Sequence, residues 1–511
     1  MKTSPLRSLL AALVLLVVLA LPARATWSIV VINKRTGEVG VASATCLANF
    51  NLRRALPVVV IGRGAAAAQS AIDSSGDNRR LIWQAFRNQD LTSAEILAML
   101  EAQDGSHSSR QYGIVSFNGD PVTFTGDNAG AAASGRTGQV GDYVWAIQGN
   151  LLTGDEVVDA AVDAFVNTNS DMSERLMAAM LAARDMGGDG RCSCLTGNAT
   201  DCGAPPASFT KSAHCGFLIV ARYGDTNGVC NRTQGCASGE YYLLSNIAGA
   251  RSEEDDPDPV DQLFTRYVNW RDRHRGAPDG ILSSFESVRS VPADGVTTRT
   301  VTVTLRDIDG VQLPTGGATI DVSTVSGNPS LGTIGPVVDH GDGTYSFTIT
   351  AGTAVGEEQL AIRAEQGEVG TLYPYLDMRY DAVESLHCGF DAVNVANGAD
   401  VPMVLDVPDS PFHAYLVLAS LSGTVPGTTV GRISIPLNSD AVTWSTLLRA
   451  GDPGLLPGTI GVTDANGRAE MSCRLNSQQL LALSGLRLDW AGLVTGPNPQ
   501  ATNAVGFDIL P

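Results

Sequence analysis

The stretch ARATWSIVVINKRTGEVGVASAT, residues 23–45, decides the fold. Trp27-Ser28-Ile29-Val30-Val31-Ile32 is β-branched and aromatic, Lys34 to Glu38 is turn chemistry, and Val39 to Thr45 is small and apolar. That order predicts a β-hairpin. Upstream, Lys2 and Arg7 precede an apolar run from Leu9 to Leu21, and Pro22-Ala23-Arg24-Ala25 ends in a small-x-small pattern. Residues 1–25 thus read as a signal peptide cleaved after Ala25, which predicts an exported protein, secreted, periplasmic or at the cell surface. The apolar run is short for a bilayer, and no membrane span is expected in the mature chain. Cleavage there would begin the hairpin at Thr26. A hydroxyl beside a free α-amino group is a nucleophile and its base in one residue, and the amine's ordinary pKa of about 8 suits that task.

Further along, a third strand at 56–61 leads into the small run Ala65 to Ala68, Gln69 and Ser70. Helices are predicted at 77–88 and 92–103, the second opened by the capping box Thr92-x-x-Glu95. Strands follow at 112–117, 122–125 and 143–148, then helices at 154–167, with the box Thr153-x-x-Glu156, and 171–186, stopped by Gly187-Gly188. A late strand covers Phe217 to Arg222. Blocks of strands alternating with pairs of helices predict two facing sheets with helices outside each, an α+β fold of the αββα sandwich type. After an acidic crossing at Arg251 to Asp261, Val260, Leu263, Phe264, Tyr267 and Val268 form a helical stripe. Glu253 to Asp256 read as a solvated run at that helix start, where acidic groups favour the dipole, with metal binding as the other reading. From about 284 short alternating strands take over, including 298–305, 345–349, 414–421 and 459–473, which predicts two β-sandwiches, 284–380 and 381–511.

The 511 residues suffice for about three domains, and the net charge of −19 argues against nucleic acid as a partner. Nine cysteines fit an oxidising compartment. Cys192, Cys194, Cys202, Cys215, Cys230 and Cys236 crowd a loop at 192–236. Cys192-x-Cys194 lacks zinc-loop spacing, so three disulfides are expected among the six, in any of about 15 connectivities. Cys388 and Cys473 form the natural C-terminal pair, and Cys46 reads as a small buried residue or a secondary nucleophile. Neither metal nor cofactor is expected: no Walker loop, dinucleotide fingerprint or zinc-protease helix occurs.

Thr26-Trp27-Ser28-Ile29-Val30, Thr36 to Ala42, Gln148-Gly149-Asn150-Leu151-Leu152-Thr153-Gly154, Gly187 to Arg191 and Asp256 to Val260 appear in the order and spacing of a bacterial family. Over residues 26–271 the chain resembles the domain of unknown function 1028, assigned to the N-terminal-nucleophile hydrolase superfamily. The resemblance implies the αββα fold and a pocket at the start of the first strand, with Thr26 as nucleophile on an amide or peptide substrate. Gln69 and Asn150 would supply amide donors to an oxyanion, together with backbone N–H groups of Ala65 to Ala68, and Arg54 or Arg53 a cation holding the amine neutral. Gln148, Asp189 and Arg191 are candidate substrate-binding residues. Structural readings stand beside these: a strand-end turn at 148–150, an Asp189–Arg191 ion pair, and close sheet packing at Ala65 to Ala68. The chain departs from the family in its Cys-rich loop, and Ser43-Ala44-Thr45-Cys46 lacks the acidic residue that well-characterised members of the superfamily carry near this place. Val291 to Gly295, Thr300 to Val303 and Asp342 to Phe347 resemble an invasin/intimin-type bacterial immunoglobulin-like domain over 290–380. Two functions are compatible with this organisation: a secreted amidohydrolase or peptidase whose β-domains bind a surface polymer or protein, or a catalytically silent adhesion protein on the same scaffold.

Overall fold

β1 (Thr26–Asn33) and β2 (Val39–Thr45) pair antiparallel, with Trp27 opposite Ala44 and Ile32 opposite Val39. The computed structural model describes residues 26–195, 200–248, 256–287, 289–381, 385–396, 398–497 and 499–511. The leader with its cleavage point, and Glu253, Glu254 and Asp255, lie outside the described residues.

Four strands, β3 (Pro57–Val60), β4 (Gly64–Ser70), β5 (Arg110–Ser116) and β6 (Val122–Thr125), make one sheet in chain order. The hairpin joins β7 (Ser134–Val140), β8 (Tyr143–Asn150), β9 (Cys215–Ala221) and β10 (Leu243–Ile247) in a six-stranded sheet of order β10-β9-β2-β1-β8-β7. Helices α1 (Leu52–Ala55), α2 (Asp77–Asn88), α3 (Ser93–Gln103), α4 (Glu156–Asn167), α5 (Met172–Asp185), α6 (Gly190–Ser193) and α7 (Pro259–His274) complete this part.

Period-2 alternation explains how the sheets pack. Val30 and Ile32 of β1, Val39 and Val41 of β2, and Val144 and Ala146 of β8 share a buried cluster with Val59, Ala65, Ala67 and Val115 of the other sheet. Their alternates Trp27, Ile29, Val31 and Ile147 pack with Val157, Phe165, Leu176, Met180 and Leu263 on α4, α5 and α7. Val58, Val60, Ala66 and Ile114 pack with Ile82, Phe86, Ile96 and Leu100 on α2 and α3. Strands β1, β2, β3, β4 and β9 are therefore buried along their whole length, while the edge strands β6 and β7 are partly exposed.

Several expectations change. Ala65 to Ala68 is strand β4, paired with both β3 and β5, so its backbone N–H groups serve the ladder. The box at Thr92 forms, but the one at Thr153 does not: Thr153 Oγ1 donates to Met186 O at 2.7 Å, and the helix starts instead after Asp155. On α7 the buried stripe is Val260, Leu263, Tyr267 and Trp270, while Phe264 and Val268 face outward. The disulfides are Cys46–Cys192, Cys194–Cys202 and Cys230–Cys236. Cys46 is thus bridged, because the end of β2 meets α6. Cys215 lies outside these bridges, in the core between the sheets with its Sγ donating to Leu47 O at 3.5 Å. Cys388 and Cys473 also keep their thiols. They lie on strands that flank a third, opposite Met403 and Val401, so their side chains are not direct neighbours.

Beyond α7 strands dominate. Strands Ser284–Glu286, Thr298–Thr304, Thr344–Ala351 and Gly332–Ile334 form one sheet. Ser290–Pro292, Leu376–Asp381, Gly356–Gln366 and Thr319–Thr324 form another, and Val301, Tyr345, Phe347, Leu360 and Tyr380 fill a common core. From residue 386 a further core gathers Val401, Tyr415, Cys473, Trp490 and Phe507, with two short helices, α8 (Ala441–Leu448) and α9 (Ser477–Ala482). The run at 459–473 is two strands, Ile460–Val462 and Arg468–Leu475. Among the described residues, no helix is long and apolar enough to cross a membrane.

Candidate active site

The alternation that packs apolar residues between the sheets turns polar at one end. Thr26 and Ser28 precede Val30 and Ile32 on the inward face of β1, and Ser43 and Thr45 follow Val41 on β2. On the facing sheet Gln69 follows Ala65 and Ala67, and Gln111 precedes Val115. Gln148 and Asn150 follow Val144 and Ala146 on β8. All eight are buried.

All of them but Gln148 make side-chain hydrogen bonds here. Gln69 Nε2 donates to Thr26 O and to Gln111 Oε1, both at 2.8 Å, and its Oε1 accepts from Ser28 Oγ at 2.5 Å. Ser28 Oγ also reaches Ser43 Oγ at 2.9 Å, and Gln111 Nε2 donates to Gly149 O at 2.8 Å. Gln69 therefore fastens the start of β1 to the opposite sheet. Asn150, the β-ladder partner of Thr26, donates from Nδ2 to Ala129 O at 2.9 Å.

The Thr26 hydroxyl donates to Thr45 Oγ1 at 3.3 Å. Arg191 Nη2 lies 3.4 Å from the same oxygen and 2.8 Å from Asp189 Oδ2, while Arg191 Nε reaches Asp189 Oδ1 at 3.1 Å. Asp189 is fully buried, caps α6 through Arg191 N, and accepts from Cys46 N at 2.6 Å. The turn after α5 thus places a buried carboxylate against the end of β2. That turn needs glycine: Gly188 has φ +58°, and a Cβ there would lie 2.6 Å from the Trp27 ring.

Of the sequence candidates, Thr26, Gln69, Gln148, Asn150, Asp189 and Arg191 are brought to this end of the sheets. Arg54 is not part of this network: its guanidinium donates to Thr233 O on the Cys230–Cys236 loop. Arg53 reaches Ala237 O at 3.2 Å. The guanidinium linked to Thr26 through Thr45 belongs to Arg191. Sequence reading missed Ser28, Ser43, Thr45 and Gln111. The available signal was the polar residue that continues each inward-facing apolar alternation.

Gln148 differs from its neighbours. It is fully buried, yet neither its Oε1 nor its Nε2 has a hydrogen-bond partner. A Cβ at Gly113 on the facing sheet would lie 2.1 Å from Gln148 Oε1, so glycine at 113 makes room for the amide. An unpaired buried amide costs about 1–3 kcal/mol. His214, just before β9, completes the surroundings: its N donates to Thr45 O at 2.9 Å.

The model of a family of unknown function, DUF1028, matches residues 26–195, and the model of invasin domain 3 matches residues 282–368. Among solved structures, a Silicibacter pomeroyi protein of the DUF1028 family is similar at 18% identity, over 48% of this chain and 93% of its own, with a TM-score of 0.35. The Yersinia pseudotuberculosis adhesin InvE is similar at 18% identity over 44% of this chain and 58% of its own, with a TM-score of 0.19. Invasin, described as a bacterial integrin-binding protein, is similar at 12% identity over 57% of this chain and 45% of its own, with a TM-score of 0.20. None of the curated proteins compared with the chain matches it. The chain is a multidomain protein that joins a DUF1028 segment to an invasin-like, strand-rich part.

Proposed function

We propose that residues 26–271 form an αββα hydrolase of the N-terminal-nucleophile type, released for action by signal cleavage after Ala25. The carrying observation is that Thr26 opens β1 with its hydroxyl in a buried polar network between two sheets, each also covered by helices. In this reading Thr26 Oγ attacks an amide or peptide carbonyl, and its own α-amine takes the hydroxyl proton and passes it to the leaving amine. The resulting ester is hydrolysed by water, which regenerates Thr26. Arg191, aligned by Asp189, is the cation that disfavours protonation of the new amine. Gln69 and Asn150 already donate to backbone carbonyls and serve to position β1 and β8. Gln148, two residues from the ladder partner of Thr26, is the amide left to bind the oxyanion or substrate. The strand-rich parts, 284–380 and 381–511, hold the enzyme at a surface polymer or protein outside the cell, a reading supported by the invasin-domain match.

The alternative, a catalytically silent adhesion protein, draws support from how fully the groups around Thr26 bond to one another. One experiment separates the two. The protein is expressed with its leader in a secreting bacterial host, its N-terminus is read by mass spectrometry, and it is treated with an electrophilic β-lactone probe. A mature start at Thr26, with labelling on that residue lost in Thr26→Ala at unchanged thermal stability, is expected. A different start, or equal labelling of the variant, overturns the enzyme reading.

A further inference from the structure

The sulfurs of Cys46 and Cys192 and a ring nitrogen of His214 lie within 4.8 Å of one another, the one such grouping of three soft-metal donors among the described residues. They come from three separate segments: Cys46 follows β2, Cys192 lies in α6 and His214 precedes β9. Beside the covalent sulfur–sulfur bond, hydrogen bonds from backbone N–H groups hold each segment. Cys46 N donates to Asp189 Oδ2, His214 N donates to Thr45 O, and Cys192 N donates to Asp189 O at 3.0 Å. The donors therefore share a framework that does not depend on the bridge being closed. All three residues are half-buried, so an ion has access.

We propose that Cys46, Cys192 and His214 form a zinc site when their bridge is reduced. Two thiolates and an imidazole are a recognised ligand set for this borderline-soft ion, with zinc–sulfur and zinc–nitrogen distances of about 2.3 and 2.0–2.1 Å. Donors around one tetrahedral ion stand roughly 3.5–4 Å apart, so the two sulfurs, covalently bonded in the closed bridge, separate on reduction while staying near the His214 ring. The chemistry balances. A dithiol reductant gives two electrons and two protons to the bridge and closes into its own disulfide. Zinc then displaces the two thiol protons, its double charge is matched by the two thiolates, and the imidazole contributes a neutral lone pair. A fourth position is left for water or an exogenous ligand. The clamp between the end of β2 and α6 would thus have two forms, a covalent one and a metal-linked one. This inference stands apart from any role of Thr26.

The test uses the full mature chain, reduced with dithiothreitol and freed of it under argon. Zn2+ affinity is measured by chelator competition, and Co2+ is used to read thiolate charge-transfer absorption. The reduced protein is expected to bind one Zn2+ at this site and the oxidised protein none. Affinity should fall by more than about tenfold in His214→Ala, since even a supporting group costs that much, and recover in His214→Cys. The double variant Cys194→Ser with Cys202→Ser should bind as the parent does, which excludes capture by the neighbouring loop thiols. Circular dichroism shows that each variant is folded. Zinc uptake that is absent, that is equal in His214→Ala, or that survives Cys46→Ser overturns the proposal.

Discussion

A single residue, Gln148, shows where this chain accepts instability. Its neighbours between the sheets bond to one another, while its amide is buried with both polar atoms unpaired. Gly113 leaves it space that any side chain would take. A fold shaped only by stability would place a hydrocarbon here. Gln148→Met, close to isosteric, removes the unsatisfied groups and is expected to raise unfolding stability by about 1–2 kcal/mol. Urea melts of the two proteins decide this, and a destabilised variant would show that the amide has a partner in solution. Polar residues such as Gln69, Gln111 and Gln148 were readable one by one; the chemistry of an oxyanion singled out Gln69, and the family resemblance covers Gln148. Their convergence was not, because it depends on which strands face each other across the gap. The pairing of Arg191 with Thr45 was equally hidden, since 146 residues separate them.

At the scale of elements, sequence rules held where the local chemistry was uncontested. Thr92 and Glu95 cap α3 as the motif requires, whereas Thr153 carries the same motif and loses its hydroxyl to Met186 O. β7, Ser-Gly-Arg-Thr-Gly-Gln-Val, escaped notice because an edge strand with one strongly apolar residue has no alternation to read. The joint between α3 and β5 makes a measurable prediction. Burial by itself would raise the pKa of Asp104. Bonds from Arg110 Nε at 2.7 Å, Ser106 N at 2.9 Å and Asn78 Nδ2 at 2.6 Å outweigh it and hold the group at about 2. A depressed folded-state pKa means the stabilisation is complete above the unfolded value of about 3.9 and fades as pH falls towards 2. Thermal melts should therefore show Asp104→Asn well below the parent at pH 7 and level with it near pH 2. A gap that stays constant across that range would assign the loss to packing instead of charge.

For the whole molecule, the question is whether the strand-rich part swings on a tether or is fixed to the segment that holds Thr26. The contacts favour fixation. Arg222, the residue after β9, donates to Glu38 Oε1 and to Asp279 Oδ2, each at 2.7 Å, and its guanidinium lies 3.5 Å from the centre of the Tyr242 ring. Arg271 on α7 joins Asp171 at 2.7 Å to Asp309 at 2.8 Å, and the Tyr223 and Tyr373 rings stack at 4.3 Å. Ile308 belongs to the same buried cluster as Trp27 and Trp270. Glu38, Arg222 and Asp279 are all buried, so breaking the triad leaves carboxylates without a counter-charge. Arg222→Met is expected to cost about 3–5 kcal/mol, the range for an orphaned buried ion pair. Adding Asp279→Leu should return part of that loss, because it removes one stranded charge and the two positions are coupled. If the parts move as one body, the parent melts in a single calorimetric transition and Arg222→Met splits it in two. Two transitions already present in the parent would mean a flexible tether, and the triad would then stabilise only the segment that ends at α7.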